Sequence, residues 1–207
     1  VHRTRYDFNA PVMLYDHTLR LRPREGHELR LQSSVLDIDP TASIRWHRDV
    51  EGNSVAIATF HNTTSDHLTI RSELLIQQYD IAPYDFLVAD YAVDYPFNYS
   101  AEDRLLLSPY MMRITPDGDS LFSDWVDSLY KAGERIQTFA LLIRINQRVY
   151  ENITYQRREE EGVQLAHHTL SQCTGSCRDF ANLYIELVRA MGFAARFVSG
   201  YLYADLP

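Results

Sequence analysis

The sequence predicts an α+β protein, because its two ends carry different periodicities. Residues 1–80 show the two-residue alternation and β-branched runs of strands, interrupted by turn-forming residues. From residue 119 onward the apolar residues recur at helical spacing. We therefore expect an N-terminal antiparallel β-sandwich-like domain over 1–80, a connector over 81–118 and a mainly helical part over 119–207.

The predicted strands of the first domain are short and separated by turn signals. They are "TLRLRP" (18–23), "ELRLQSSVLDI" (28–38), "NSVAIATF" (53–60) and "HLTIRSELLIQ" (67–77). Strands at this spacing are typical of antiparallel sandwiches. The stretch contains no ligand-binding motif, so its alternation indicates packing.

Three helices are predicted in the last part of the chain. They cover 120–133, 138–155 with Thr138 as the N-terminal cap, and a segment that begins at Cys177 and stops at Gly192. The charged run "QRREEEGVQ" (156–164) predicts a solvated loop. Residues 193–203 have extended character, so we expect the last helix to dock its apolar face against a sheet.

Composition and charge exclude several classes of protein. A formal charge of -8 and a pI near 5.4 argue against a binder of nucleic acid or of membrane surfaces. The sequence has no run near the ~20 apolar residues of a membrane span, and its first residues lack the apolar core of a signal peptide. Two cysteines cannot form a disulfide framework, so we expect a cytoplasmic protein.

The start of the last helix carries a candidate catalytic cysteine. Ser176 and Asp179 form a Ser-x-x-Asp capping pattern, which makes Ser176 the N-cap and Cys177 the first helical residue. The free N–H groups and the dipole of a helix N-terminus stabilise a thiolate. The backbone N–H of Cys177 is a candidate oxyanion donor. A cysteine on an apolar helix face is also a common packing residue, so its position leaves both interpretations open.

A longer motif surrounds Cys177. It reads Thr169-Leu170, Gly175-x-Cys177-x-Asp179-Phe180-Ala181, Arg189-Ala190-x-Gly192 and Ala195-Arg196-x-Val198-x-Gly200-Tyr201. This pattern resembles the core of the bacterial transglutaminase-like superfamily. Upstream, "LRLRPREG", "DPTA", "DVEGNSVAIATF" and "YPFNYSAED" resemble the N-terminal β domain of that family, so the resemblance covers most of the chain.

The resemblance implies a papain-like core, incomplete in this chain, with Cys177 as the nucleophile. Its thiolate would form a thioester with a carboxamide or peptide carbonyl of a protein or peptide substrate, without a metal or organic cofactor. The family's His and Asp lie on strands that follow the motif, and no histidine follows Cys177 in this sequence. We therefore expect a fragment that is weakly active or inactive, and an active longer parent. Hydrolysis and cross-linking both stay open.

Neighbouring residues offer alternative chemistry. His167 or His168 could replace the missing base, although we interpret both as surface residues. A zinc site built from these histidines with Cys173 and Cys177 does not match common zinc spacings. We interpret Cys173 as a packed bystander, with a Cys173–Cys177 disulfide as the further hypothesis.

Two other motif residues are assigned to the scaffold. Asp179 is explained by capping, and Arg196 by a buried structural pair with an acid. The competing class of function is a non-catalytic protein-binding module on the same scaffold. In that hypothesis the tyrosine-rich segment 91–110 would be the contact face, although packing is the simpler role for its tyrosines.

Overall fold

The chain forms two compact units that divide between Phe86 and Leu87. The computed structural model describes residues 1–79, 86–115 and 119–201. Strands build the first unit and helices dominate the second, so the predicted α+β class is confirmed. Within the described ranges, every helix is too short or too polar to span a bilayer.

The strands of the first unit lie in two antiparallel sheets. They are β1 (His2–Met13), β2 (His17–Leu19), β3 (Leu29–Asp39), β4 (Ser43–Arg48), β5 (Ser54–Thr59) and β6 (Thr64–Gln78). One sheet has the order β1-β6-β3 and the other β2-β5-β4. The four strands predicted from alternation correspond to β2, β3, β5 and β6, whereas β1 and β4 are strands that the alternation does not predict.

The core of the first unit contains residues from both sheets. Ala58 of β5 clusters with Leu68 and Ile70 of β6, together with Leu14 and Phe60. All five side chains are buried. The predicted antiparallel sandwich is therefore confirmed, with the central strands β5 and β6 supplying most of this cluster.

The second unit is a helical assembly with two short β ladders. Its helices within the described ranges are α1 (Ala101–Met111), α2 (Ser120–Leu129), α3 (Thr138–Asn152), α4 (Ala166–Gln172) and α5 (Cys177–Ala190). β7 (Asp94–Tyr95) pairs antiparallel with β8 (Ile136–Gln137), and β9 (Thr154–Tyr155) pairs in parallel with β10 (Thr174–Gly175). Residues 87–115 of the predicted connector belong to this unit.

The predicted helices occur with small changes at their ends. α2 ends at Leu129, before the predicted stop at Gly133. Thr138 is the first residue of α3 and not its cap, because Gln137 occupies the N-cap position without a side-chain hydrogen bond. α5 begins at Cys177 as predicted. Extended structure over 193–203 is not found in residues 193–201, which form no strand, and residues 202 and 203 lie outside the described residues.

α5 is the central helix of the second unit. Its Leu183 and Leu187 are completely buried and share a core with Leu141 and Ile145 of α3. In the part of the chain that the structure describes, α5 packs against α3 and α4. The prediction that it docks on a sheet is therefore wrong for these residues, because helix side chains cover its apolar face.

Candidate active site

Cys177 combines an exposed thiol with a helix N-terminus. Ser176 precedes it at the N-cap with extended backbone (φ -83°, ψ 173°), as the capping pattern predicts. The backbone N–H of Cys177 donates to no acceptor among the described residues. The thiol and a free N–H group therefore lie together at the positive end of the α5 dipole.

β10 fixes the chain as it approaches Cys177. The Thr154 N–H donates to the Cys173 carbonyl at 2.8 Å. The Gln156 N–H donates to the Gly175 carbonyl, also at 2.8 Å. These hydrogen bonds belong to the parallel β9–β10 ladder, and they tie the residues before the N-cap to the strand that follows α3.

Asp179, two residues after Cys177, has a completely buried carboxylate. Its Oδ2 accepts the Ser176 N–H at 2.8 Å and the Ser176 hydroxyl at 2.7 Å. Its Oδ1 accepts the Gln164 N–H at 2.8 Å, and the Arg158 guanidinium donates to both oxygens at 2.8 and 3.3 Å. Burial alone raises the pKa of Asp179, but these hydrogen bonds outweigh burial and hold that pKa well below its usual range.

The charged run 156–164 is partly folded onto α5, which corrects the solvated loop predicted for it. The Arg158 side chain is only 15% exposed because it pairs with Asp179. The Arg178 guanidinium donates to the Glu160 carbonyl and closes the loop from the other side. Sequence reasoning missed Arg158 because a run of mixed charges is typical of exposed loops, and its partner lies 21 residues away.

A cleft of about 460 Å³ lies along α5 beyond Cys177, which is not itself among the lining residues. Ala181 and Tyr184, one and two turns along the helix from Cys177, form part of its lining, together with α3 residues and the segment 196–198. The Tyr184 hydroxyl donates to the Leu142 carbonyl at 3.1 Å. Burial raises the pKa of Tyr184 to about 12, so this hydroxyl stays a neutral donor at the cleft floor.

The other candidate ligands and bases do not gather around Cys177. His167 is partly buried and His168 is exposed at the start of α4, and neither ring bonds to Cys177 within the described ranges. Both cysteines are free thiols. The interpretation of Cys173 as a packed residue is wrong, because Cys173 is exposed at the left-handed C-cap of α4 (φ 52°), where its Sγ donates to the Leu170 carbonyl at 3.3 Å. Among the described residues, no group of three or more His, Cys, Asp or Glu side chains is placed to hold a metal ion.

Arg196 does not form the buried ion pair predicted for it. Its side chain is exposed, and the guanidinium lies 6.0 Å from the ring centroid of Tyr110. The buried acid of this region, Glu186, already accepts the Thr115 N–H at 2.8 Å and lies 3.7 Å from Arg189. That acid therefore has its cation on its own helix, and Arg196 stays at the rim of the cleft.

The tyrosine-rich segment packs against the end of α5. Tyr95 stacks on Phe193 with ring centroids 5.4 Å apart, and its hydroxyl donates to the Met191 carbonyl at 3.0 Å. The Tyr99 hydroxyl accepts the Ala194 N–H at 3.0 Å. The predicted packing role of these tyrosines is confirmed, which removes them from the contact face of the binding-module hypothesis.

Two family models match the sequence on either side of the connector. Residues 1–77 match the bacterial transglutaminase-like N-terminal region, and residues 131–206 match the transglutaminase-like superfamily core. The chain belongs to the transglutaminase-like superfamily. The resemblance inferred from the motif around Cys177 is thereby confirmed.

Longer proteins and a solved structure are similar to the chain. Uncharacterized proteins of Mycobacterium tuberculosis and Mycobacterium bovis are 27% identical to the chain over 220 residues, which cover 100% of the chain and 66% of their own length. The crystal structure of a candidate cysteine protease from Cytophaga hutchinsonii matches with a TM-score of 0.58 at 16% identity. That match covers 92% of this chain and 62% of the other, and it shows a common fold. The chain thus spans slightly less than two thirds of these longer proteins.

Proposed function

We propose that Cys177 is the nucleophile of a thiol-dependent acyl transfer or amide hydrolysis on protein or peptide substrates. The observation that carries this proposal is the exposed thiol at the first position of α5, beside a backbone N–H without an acceptor among the described residues. A helix N-terminus favours the thiolate, which is the reactive form of cysteine. The family's chemistry and the fold match support the same assignment.

The proposed reaction proceeds through a thioester. The Cys177 sulfur attacks the carbonyl carbon and forms an S–C bond, while the carbonyl oxygen becomes an oxyanion next to the Cys177 N–H. The C–N bond then breaks and the amine leaves with a proton from a general acid. Water gives hydrolysis in the second half-reaction, and a substrate amine gives cross-linking. The steps require the thiolate, proton transfer, and water or a substrate amine, so the proposal needs no metal or organic cofactor.

The general acid and base are proposed to lie outside this sequence. No histidine follows Cys177, and His167 and His168 form no hydrogen bond with Cys177 in the described ranges. The longer relatives leave room for the His and Asp that the family places after the motif. We therefore expect the 207-residue chain to turn over amide substrates weakly, and a protein of the relatives' full length to turn them over well.

Thiol alkylation tests the assignment of Cys177 directly. Replacing Cys173 by serine leaves Cys177 as the single thiol, and Cys177→Ser leaves Cys173 as the matched control, since both thiols are exposed and free. We expect iodoacetamide at neutral pH to modify Cys177 about tenfold faster than Cys173, because only Cys177 lies at a helix N-terminus. Equal rates for the two thiols would overturn the proposal.

A further inference from the structure

The candidate site contains a negative charge, the Asp179 carboxylate, that disfavours the thiolate form of Cys177. Asp179 is ionised, completely buried and only two residues from Cys177. A negative charge in the same helical turn opposes formation of a thiolate. The capping role of Asp179 therefore has an electrostatic cost for the chemistry proposed at Cys177, unless a cation cancels it.

Arg158 is placed to cancel that charge. Its Nε lies 2.8 Å from Oδ2 of Asp179 and a terminal nitrogen lies 3.3 Å from Oδ1, which is a two-point contact with both oxygens. The Arg158 side chain is 15% exposed, and a further bond to the Gly162 carbonyl at 3.4 Å holds it in the loop. The pair is thus shielded from water and salt. Charge interactions are stronger in such shielded surroundings than in solution.

The neighbouring arginines do not take this role. Arg157 pairs with Glu159 at 2.9 Å, and its side chain is 82% exposed. Arg178 donates to the carbonyl oxygen of Glu160, which is a neutral acceptor. Of the cations on the described loop and the first turn of α5, Arg158 is the one that contacts the Asp179 carboxylate.

We propose that Arg158 is a positioning residue of the active site, which neutralises Asp179 so that the positive end of α5 acts on the Cys177 thiolate. This inference rests on the proposed function, in which Cys177 is the nucleophile. Without the Arg158 charge, the three remaining donors (the Gln164 N–H and the two groups of Ser176) keep the Asp179 carboxylate ionised. An uncompensated negative charge is then left in the first turn of α5, two residues from Cys177.

The first test measures iodoacetamide alkylation of Cys177 at pH 7 in a Cys173→Ser background. We expect Arg158→Gln to slow alkylation about tenfold, because it leaves one uncompensated negative charge in the first turn of α5. Arg158→Lys keeps the charge but loses the two-point contact, so we expect an alkylation rate between those of the parent and Arg158→Gln. Arg157→Gln removes the same charge from the adjacent exposed arginine, and we expect it to change the rate less than twofold.

A second pair of variants separates charge from structure. Arg158→Gln combined with Asp179→Asn has no ion pair but is neutral, and we expect it to recover most of the parent's alkylation rate. Asp179→Asn alone leaves Arg158 with the exposed Glu160 carboxylate, 3.5 Å away, as its remaining acidic partner, and we expect faster alkylation than in the parent. A purely structural role predicts slow alkylation in both, because both lose the same salt bridge. Urea unfolding of each variant identifies those that are folded, and Asp179→Asn keeps the test decisive if Arg158→Gln does not fold.

The outcomes distinguish this inference from the proposed function. An unchanged rate in folded Arg158→Gln, or a double variant as slow as the single one, would overturn the role of Arg158 while Cys177 stays the nucleophile. A Cys177 thiol no faster than Cys173 would overturn the proposed function, and the ratio between Arg158→Gln and its parent would still measure the effect of Arg158.

Discussion

Gly175 precedes the N-cap of α5, and the Asp179 side chain occupies the space where a Cβ atom of residue 175 would stand. A Cβ at this position would lie 2.9 Å from the Asp179 Cβ and 3.4 Å from the Thr169 Cγ2. The Asp179 Cβ is fixed by the helix backbone and cannot rotate away. The glycine of the motif is therefore explained by the close approach of the entering chain to the capping carboxylate.

This close approach predicts the effect of adding one methyl group. We expect Gly175→Ala to lower the free energy of unfolding by about 1–3 kcal/mol, because the chain or the Asp179 side chain must move to admit the Cβ. Gly200→Ala is the matched control, since nothing lies within 4 Å of its Cβ position. Urea denaturation measures both, and equal stabilities for the two variants would show that the entry to α5 is not tightly packed.

Among the elements, α5 has two roles: its apolar face packs into the core, and its N-terminus carries Cys177. Leu183 and Leu187 bury its apolar face, while the first turn presents Cys177 to solvent. The buried face fixes where the helix lies, and the Asp179 contacts fix how the chain enters it. The position of the thiol thus depends on packing two turns away from it.

The core contribution of α5 can be measured with one truncation. We expect Leu183→Ala to cost about 2–5 kcal/mol of unfolding free energy, because its completely buried side chain leaves a cavity against α3. Leu105→Ala in α1 is the control: its side chain is 75% exposed, and the expected change is within about 0.5 kcal/mol. Chemical denaturation of the two variants should give these two different values. A cost for Leu183→Ala as small as that of the control would contradict the packing described for α5.

The strands and the helix that the sequence predicts best have one face that is buried, or half-buried as in the edge strands β2 and β3. β5 and β6 are the central strands of their sheets and α5 has one apolar side, so their side chains alternate or recur at the right period. β1 and β4 are edge strands whose side chains are largely exposed, so burial imposes no alternation on their residues. The candidate site likewise contains features that the local sequence predicts and features that it does not. The N-cap and Cys177 follow from local pattern, whereas the pairing of Arg158 with Asp179 is a tertiary contact that a local pattern does not contain.

Over the whole molecule, pH acts on stability through groups whose pKa shifts on folding. In the first unit, His67 lies 2.8 Å from Asp66 and 3.1 Å from Asp39. The hydrogen bonds to these two carboxylates raise the pKa of His67 above its usual 6.5. Asp7, whose pKa is lowered mainly by its hydrogen bond from Arg5, adds a further negative charge near the ring. The folded state therefore binds this proton more tightly than the unfolded chain does.

The sign of the resulting pH dependence follows from linkage. The stabilisation from charged His67 is complete below pH 6.5 and is lost as pH rises through the raised pKa of the folded state. We expect thermal unfolding scans of the parent to show this loss and His67→Gln to lack it. His61→Gln is the control, because His61 contacts the Ser43 hydroxyl and forms no ion pair with a carboxylate among the described residues. An identical pH profile for His67→Gln and the parent would contradict the assignment.

The described residues form a β sandwich and a helical unit, in which the exposed Cys177 thiol lies at the N-terminus of α5. The chain's family and fold are established, and the covalent role of Cys177 is the central proposal. A thioester on that sulfur is the intermediate on which hydrolysis and cross-linking both depend. An activated ester can form it without a general acid, because p-nitrophenolate leaves without needing a proton.

The most direct measurement is therefore trapping of the acyl group from p-nitrophenyl acetate, followed by peptide mass spectrometry. The account predicts one acetyl group on Cys177, released by hydroxylamine as expected of a thioester, and no hydroxylamine-labile acetyl in Cys177→Ser. Labelling of Cys173 instead, or equal labelling of both cysteines, would contradict it.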